Sequence, residues 1–234
     1  MPYKLDDREL GVIEVRERRG SSRFSARWKE GGLVVITPVG ISRHETLKAI
    51  DAMRAQLLAR RPAAMFEIGH PLQFDGGITY HFESSQLHPN KIMLHPSDNG
   101  GVVSIGSNLH LGTPTADAAI SRLLIMSAYR LAHIHILPRA AELAAGLKLK
   151  PAGWKIARGR HTLGTCSGRR IISLSSLLIF LPQELRDYII YHELAHLTEM
   201  NHSQRFHRLC NLYCGGREAE LTRRLRNHRW QILR

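Results

Sequence analysis

Cysteine is scarce in this chain: Cys166, Cys210 and Cys214 are the three among 234 residues. An odd count in a medium-sized chain excludes a disulfide framework as the source of stability, and the three are read as reduced thiols. Cys210 and Cys214 stand four apart, but without a second pair this is a weak zinc pattern, and they are read as small buried apolar residues. Long apolar runs are missing too. The longest nearly uncharged stretch, residues 171–182, has 12 residues, three of them serine, against the roughly 20 that a bilayer-crossing helix needs. Residues 1–10 carry Lys4, Asp6, Asp7, Arg8 and Glu9 with no apolar segment behind them, so no secretory leader, no membrane partner and a cytoplasmic location are expected. Acidic side chains are few, 20 against 33 basic ones, for a net charge of +13. Residues 1–100 are nearly balanced, with 14 basic and 12 acidic side chains, whereas residues 101–234 hold 19 and 8. A field of this sign favours nucleic acid or another polyanion, although 26 arginines spread over solvated faces would produce the same total.

Apolar residues make up 43% of the chain, enough to exclude disorder and to build one or two domains with hydrophobic cores. Residues 11–38 read as strands: Val12, Ile13 and Val15, then Phe24, Ala26 and Trp28 alternating with Arg23, Ser25 and Arg27, a Gly31-Gly32 turn, and Leu33 onward. The expected arrangement is a β meander with one wet face. Ser42-Arg43-His44-Glu45 is a capping-box signature with Leu47, Ile50, Met53 and Leu57 behind it at helical spacing, so a helix is predicted to about Arg60, ended by Pro62. Residues 63–115, broken by Gly, Pro and Asn, read as loops with short strands at 78–82, 91–95 and 102–107. Apolar positions every three or four residues predict a long core helix over 117–137, which Pro138 kinks or restarts before Leu147. Three short strands follow at 154–157, 163–166 and 171–174. Helices are then expected from Gln183 to about Glu199, from near Ser203 to the Gly215-Gly216 stop, and over 218–232. No internal repeat is visible.

Inside the helix behind Pro182 stands His192-Glu193-Leu194-Ala195-His196, an H-E-x-x-H. Residues four apart on a helix project from one face, so both imidazoles can reach one ion at the roughly 2.0 to 2.1 Å that zinc requires. Glu193 is rotated by about 100° from His192, which sets its carboxylate beside the ion, where a general base for a bound water belongs. With 14 His and 13 Glu in the chain, about 0.05 such matches are expected by chance. Leu185 and Ile189 share the face of the two histidines while Ile190, Leu194 and Leu197 occupy the opposite side, so the helix is expected to be buried nearly all round, where polar side chains need partners. The third ligand is assigned to His202, in Asn201-His202-Ser203 beyond the helix; Glu199, Glu218 and Glu220 are weaker candidates. The other histidines lack metal spacing. His207 is read as a packing residue with an oxyanion donor as the alternative, and Phe206, Leu209, Cys210 and Tyr213 as the buried side of their helix.

This stretch resembles the YgjP-like metallopeptidases, relatives of the SprT-like zincins. The resemblance rests on His192-Glu193-Leu194-Ala195-His196, Asn201-His202-Ser203 and Phe206, preceded by Leu163-Gly164-Thr165-Cys166-Ser167, a Ser-Gly turn, Ile172-Ser173-Leu174 and the Leu181-Pro182 helix start. The specific part spans residues 160–209; the first half is similar in layout only. Where the family has Arg-Trp-Gly-Ser-Cys this chain has Thr162-Leu163-Gly164-Thr165-Cys166, and Ser175 and His207 replace an Asn and a Trp. The resemblance implies an α+β fold with a zincin-like core, a small sheet over the H-E-x-x-H helix, in a metallopeptidase domain at 116–234 behind a β-rich region at 1–115. It also implies zinc held by His192, His196 and His202, with Glu193 as base.

The expected function is a zinc metallopeptidase, a zinc-dependent hydrolase acting on peptide or protein substrates through a zinc-bound water activated by Glu193, with the strand near Gly164 aligning the substrate. The alternative is a nucleic-acid-binding protein with a structural or vestigial zinc, contacting phosphates through Arg223, Arg224, Arg226 and Arg229, or a protease acting on DNA-associated proteins.

Overall fold

A computed structural model describes residues 2–7, 9–29, 32–60, 65–109, 111–159 and 162–232. Gly31, Pro62, His110 and Arg160, which enter the sequence reading, lie outside the described residues. The fold is α+β, with small sheets and, among the described residues, five α-helices. The first sheet comprises β1 (Tyr3–Asp7), β2 (Gly11–Glu17), β3 (Ser25–Lys29) and β4 (Gly32–Thr37) in the order β1-β2-β4-β3. It is not the expected meander. β2 pairs parallel with β4, and β3 returns antiparallel along the outer edge of β4. The run Leu33-Val34-Val35, buried throughout, takes the interior position, while β3, with exposed residues alternating, takes the edge. Helix α1 (Arg43–Ala59) starts at a complete capping box, the Glu45 N–H donating to Ser42 Oγ at 3.2 Å and the Ser42 N–H to Glu45 Oε2 at 2.9 Å. Its Ile50 and Leu57 close a small cluster with Leu5, Leu10, Ile13, Val15, Leu33 and Val35.

The same wiring then recurs. β5 (Leu72–Phe74), β6 (Ile78–Ser85), β7 (Ile92–Ser97) and β8 (Gly100–Gly106) form a sheet in the order β5-β6-β8-β7, with β6 and β8 parallel, and α2 (Pro114–Gly146) follows. β9 (Gly153–Ala157), β10 (Gly164–Cys166) and β11 (Ile171–Ser175) repeat the pattern a third time without the outermost strand: β9 and β11 run parallel, β10 returns antiparallel on the far edge of β11, and α3 (Gln183–Ala195) follows. Three strand-and-helix units of one topology thus occur in a chain without visible sequence repetition. A 3₁₀ turn at Ser176–Phe180 links β11 to α3, and α4 (Gln204–Tyr213) and α5 (Glu218–Arg226) complete the chain.

Pro138 lies inside a continuous 33-residue α2, so the helix does not restart there. The carbonyl it leaves without a helical donor belongs to Ile134, an exposed residue, while Leu131, Ile136 and Ala140 are buried. The strands expected at 78–82, 91–95 and 102–107 are β6, β7 and β8, which join with β5 in one sheet. Ile78, Tyr80, Phe82, Val103 and Ile105 share one hydrophobic cluster with α2 and α3, a cluster that runs from Phe66 to Ile232. Residue 115 lies within the span of this cluster, and the smaller cluster ends at α1. Arg139 on α2 pairs with Asp187 on α3 through Nε and Nη2 at 3.1 and 2.8 Å, fixing the two long helices against each other.

Candidate metal centre

Helix α3 is buried on most sides, through Leu185, Arg186, Tyr188, Ile189, Ile190, Glu193, Leu194 and Ala195. It stops at the motif instead of continuing to Glu199. His196 is the C-cap residue, and the N–H groups of Leu197, Thr198 and Glu199 return to the carbonyls of Leu194 and Ala195. Arg170, at φ +60° in the tight turn between β10 and β11, donates from Nη1 to the Leu197 carbonyl at 3.1 Å and ties this reversal to the sheet. The early stop lets the chain double back, and Ser203 then caps α4 by accepting from the Phe206 N–H at 3.3 Å.

The result is a cluster of three imidazoles. Ring nitrogens of His192, His196 and His202 lie within 4.8 Å of one another, with His192 Nε2 and His202 Nε2 3.1 Å apart. Bonds of 2.0 to 2.1 Å in a tetrahedron separate neighbouring ligand atoms by about 3.3 to 3.4 Å, so the spacing suits one small cation. His196 Nδ1 donates to the Glu199 carbonyl at 3.0 Å, which leaves Nε2 as the nitrogen with the free lone pair. Burial, followed by the neighbouring histidines, pushes His192 down to about 4, and burial also holds His196 below its ordinary value. Both are therefore neutral near pH 7, the form that binds metal.

Phe206 forms the floor. It is fully buried, and its ring centroid lies 4.8, 4.4 and 4.7 Å from those of His192, His196 and His202, stacked on His196 and edge-on to the other two. The sequence marked Phe206 as an apolar position on α4 and as part of the family resemblance; its place beneath all three rings follows from the packing of α4 on α3. Glu193 is 5% exposed, and burial pushes its carboxyl up to about 7. The edge strand β10 covers it so closely that a Cβ on Gly164 would lie 2.5 Å from Glu193 Oε1.

The other candidate ligands are engaged elsewhere. Glu199 faces Arg205 at 3.7 Å, Glu218 Oε1 accepts from His207 Nδ1 at 2.7 Å, and Glu220 pairs with Arg217 and Arg224. His207 itself is exposed rather than packed. The cysteines are free, Cys210 and Cys214 buried and Cys166 half-buried; among the described residues the three histidines are the one group of this kind that could hold a metal.

Comparison with known families agrees with this geometry. The model of the YgjP-like metallopeptidase domain matches residues 22–228. The chain belongs to the YgjP-like family. It is accordingly a metal-dependent hydrolase acting on peptides or proteins, and its match to the family covers most of its length. A search of curated proteins gave no match. Among solved structures, the metallopeptidase zymogen abylysin of Pyrococcus abyssi is similar over 37% of this chain and 87% of its own, at 25% identity and a TM-score of 0.33. No helix among the described residues of this YgjP-like protein is long and apolar enough to cross a membrane. Of the arginines considered for phosphate contact, Arg224 is held by Glu184 and Glu220.

Proposed function

We propose that the protein is a zinc-dependent peptidase of the zincin type, with His192, His196 and His202 as the metal ligands and Glu193 as the general base. The observation that carries this reading is the convergence of three imidazole nitrogens beside a buried carboxyl from the same turn of α3. Three neutral nitrogen donors are a set that zinc accepts in catalytic sites with a fourth position left for water or substrate. When bound, the metal supplies a Lewis acid that polarises a peptide carbonyl and acidifies a water.

The remaining work falls to the protein's own groups. Glu193 accepts a proton at a carboxylate oxygen and returns it to the departing amide nitrogen, and a carboxyl held by burial near neutral pH suits both transfers. Glu199, through its carbonyl, keeps the His196 ring oriented, and Phe206 excludes water from beneath the cluster. β10 is an edge strand lying against Glu193, and its free side supplies backbone groups that can pair with an extended peptide. α3 beneath the β9–β11 sheet supports assignment to the zincin-like class.

The test is Glu193→Gln. Elemental analysis should show zinc retained and circular dichroism an unchanged fold, while hydrolysis of a peptide mixture falls by roughly 10² to 10⁴. His196→Ala should lose the metal. Undiminished cleavage by Glu193→Gln overturns the assigned role.

A further inference from the structure

Helix α5 carries two unlike sets of arginines. Arg217 and Arg224 are held in ion pairs: Arg217 with Glu184 and Glu220 at 2.9 Å each, and Arg224 with Glu184 at 2.5 Å. Arg223 and Arg226 are exposed and make no ion pair among the described residues. With Ala219 and Thr222 they follow the i, i+3, i+4, i+7 spacing of one helical face, and that face, together with His207 and Glu218, lines a groove of about 330 Å³. The carboxylate in the groove wall is already engaged, since Glu218 accepts the His207 Nδ1 proton at 2.7 Å. Two arginines thus line the groove against one carboxylate, which is hydrogen-bonded to His207.

The groove opens beside the metal centre, the His207 ring centroid lying 6.4 Å from that of His202. An extended peptide advances about 3.3 to 3.4 Å per residue, so the His207 end of the groove lies about two residues from a scissile bond at the centre. Guanidinium groups pair with carboxylates in a planar, two-pronged geometry, and two of them on adjacent turns of one helix can close on one carboxylate from both sides. A polynucleotide would instead draw on positive charge spread along its backbone, and Arg224, the intervening residue, is turned to Glu184.

We propose that this groove is a substrate subsite that accepts an acidic side chain, Asp or Glu, about two residues from the scissile bond, with Arg223 and Arg226 binding its carboxylate. The proposal rests on the peptidase reading above and specifies its substrate class. The test uses zinc-loaded, full-length Glu193→Gln and labelled ten-residue peptides that differ only in carrying Glu, Gln or Lys at one position, moved stepwise along the peptide. Fluorescence anisotropy should show the Glu peptide binding about tenfold more tightly than the Gln peptide at one register, with the preference fading as salt rises. Adding Arg223→Glu and Arg226→Glu should reverse the order in favour of Lys, and Arg226→Gln alone should give an intermediate ratio. Equal binding of all three peptides, the same order in the charge-reversed variant, or displacement of the Glu peptide by a short oligonucleotide at lower concentration than by unlabelled peptide would each overturn it. Turnover of the same peptides by the wild type separates the two readings. Cleavage without an acidic preference removes the subsite and leaves the peptidase standing; acidic binding without any cleavage removes the peptidase and leaves the subsite.

Discussion

Replacing Gly164 with alanine adds one methyl group where β10 touches the candidate base. The new Cβ would lie 2.5, 2.7 and 2.8 Å from Oε1, Cγ and Cδ of Glu193. Ordinary contacts between such atoms begin near 3.5 Å, so either the Glu193 side chain or the strand must retreat by about 1 Å. The carboxyl is enclosed, because Glu193 is 5% exposed and Leu194 and Ala195 beside it are fully buried. Overpacking of this kind costs about 1 to 3 kcal/mol, or roughly 2 to 12 °C in Tm at about 2 to 4 °C per kcal/mol for a chain of this size. A displacement of about 1 Å at a reacting group costs about 10² in rate. The proposed zinc ligands are not touched, so metal content should stay at the wild-type level. Peptide hydrolysis, thermal melting and elemental analysis measured together check all three expectations. Gly153→Ala is the matched control: on β9 of the same sheet, its Cβ would meet one atom at 4.0 Å and activity should be retained. Full activity and an unchanged Tm in Gly164→Ala would show that the strand does not constrain Glu193 and would refute the reasoning.

Phe206→Ala removes the floor beneath three imidazoles; it should cost about 3 to 5 kcal/mol in urea unfolding and weaken zinc binding about 10- to 100-fold in a competition assay, and unchanged zinc affinity would count against the role given to Phe206. Zinc should raise Tm in a concentration-dependent way, with about 2.7 kcal/mol at 100 times Kd, and His196→Ala should abolish that dependence; a variant that still responds to zinc would place the ion elsewhere. Asp7 is held down at about 2, chiefly by its hydrogen bond from Arg54, which also bridges Glu9 and Asp51. Because the folded state lowers this value, the associated stability is complete above the ordinary carboxylate range near pH 4 and is lost as pH falls toward 2. After allowance for partial exposure it amounts to about 1 to 2 kcal/mol. Asp7→Asn should flatten the fall in unfolding free energy between pH 4 and pH 2, and a slope equal to the wild type's would refute the assignment.

Features written in short-range chemistry were legible from the residues alone. The Ser42 and Glu45 capping box, the apolar stripe of α2 and the four-residue spacing of His192 and His196 depend on neighbours within one or two turns, and each stands in the structure where the spacing put it. Sheet order was not legible. Whether β2 pairs with β3 or with β4 depends on which strand is more deeply buried, and that is set by packing between elements rather than by the strands' own residues. Pro138 does not end α2, since a helix tolerates a missing N–H where its packed face holds the axis.

The residues that H-E-x-x-H chemistry calls for, and a third histidine within reach, were fixed by the order of amino acids, because a helix of known pitch converts spacing into direction. The fold alone decided that α3 stops at His196, that Arg170 secures the reversal bringing His202 back to His192, that Phe206 lies under all three rings, and that Gly164 presses on Glu193. These contacts join segments from different elements, and their geometry is set by the side chains that the packed helices and sheet exclude from water, a quantity that no local pattern encodes.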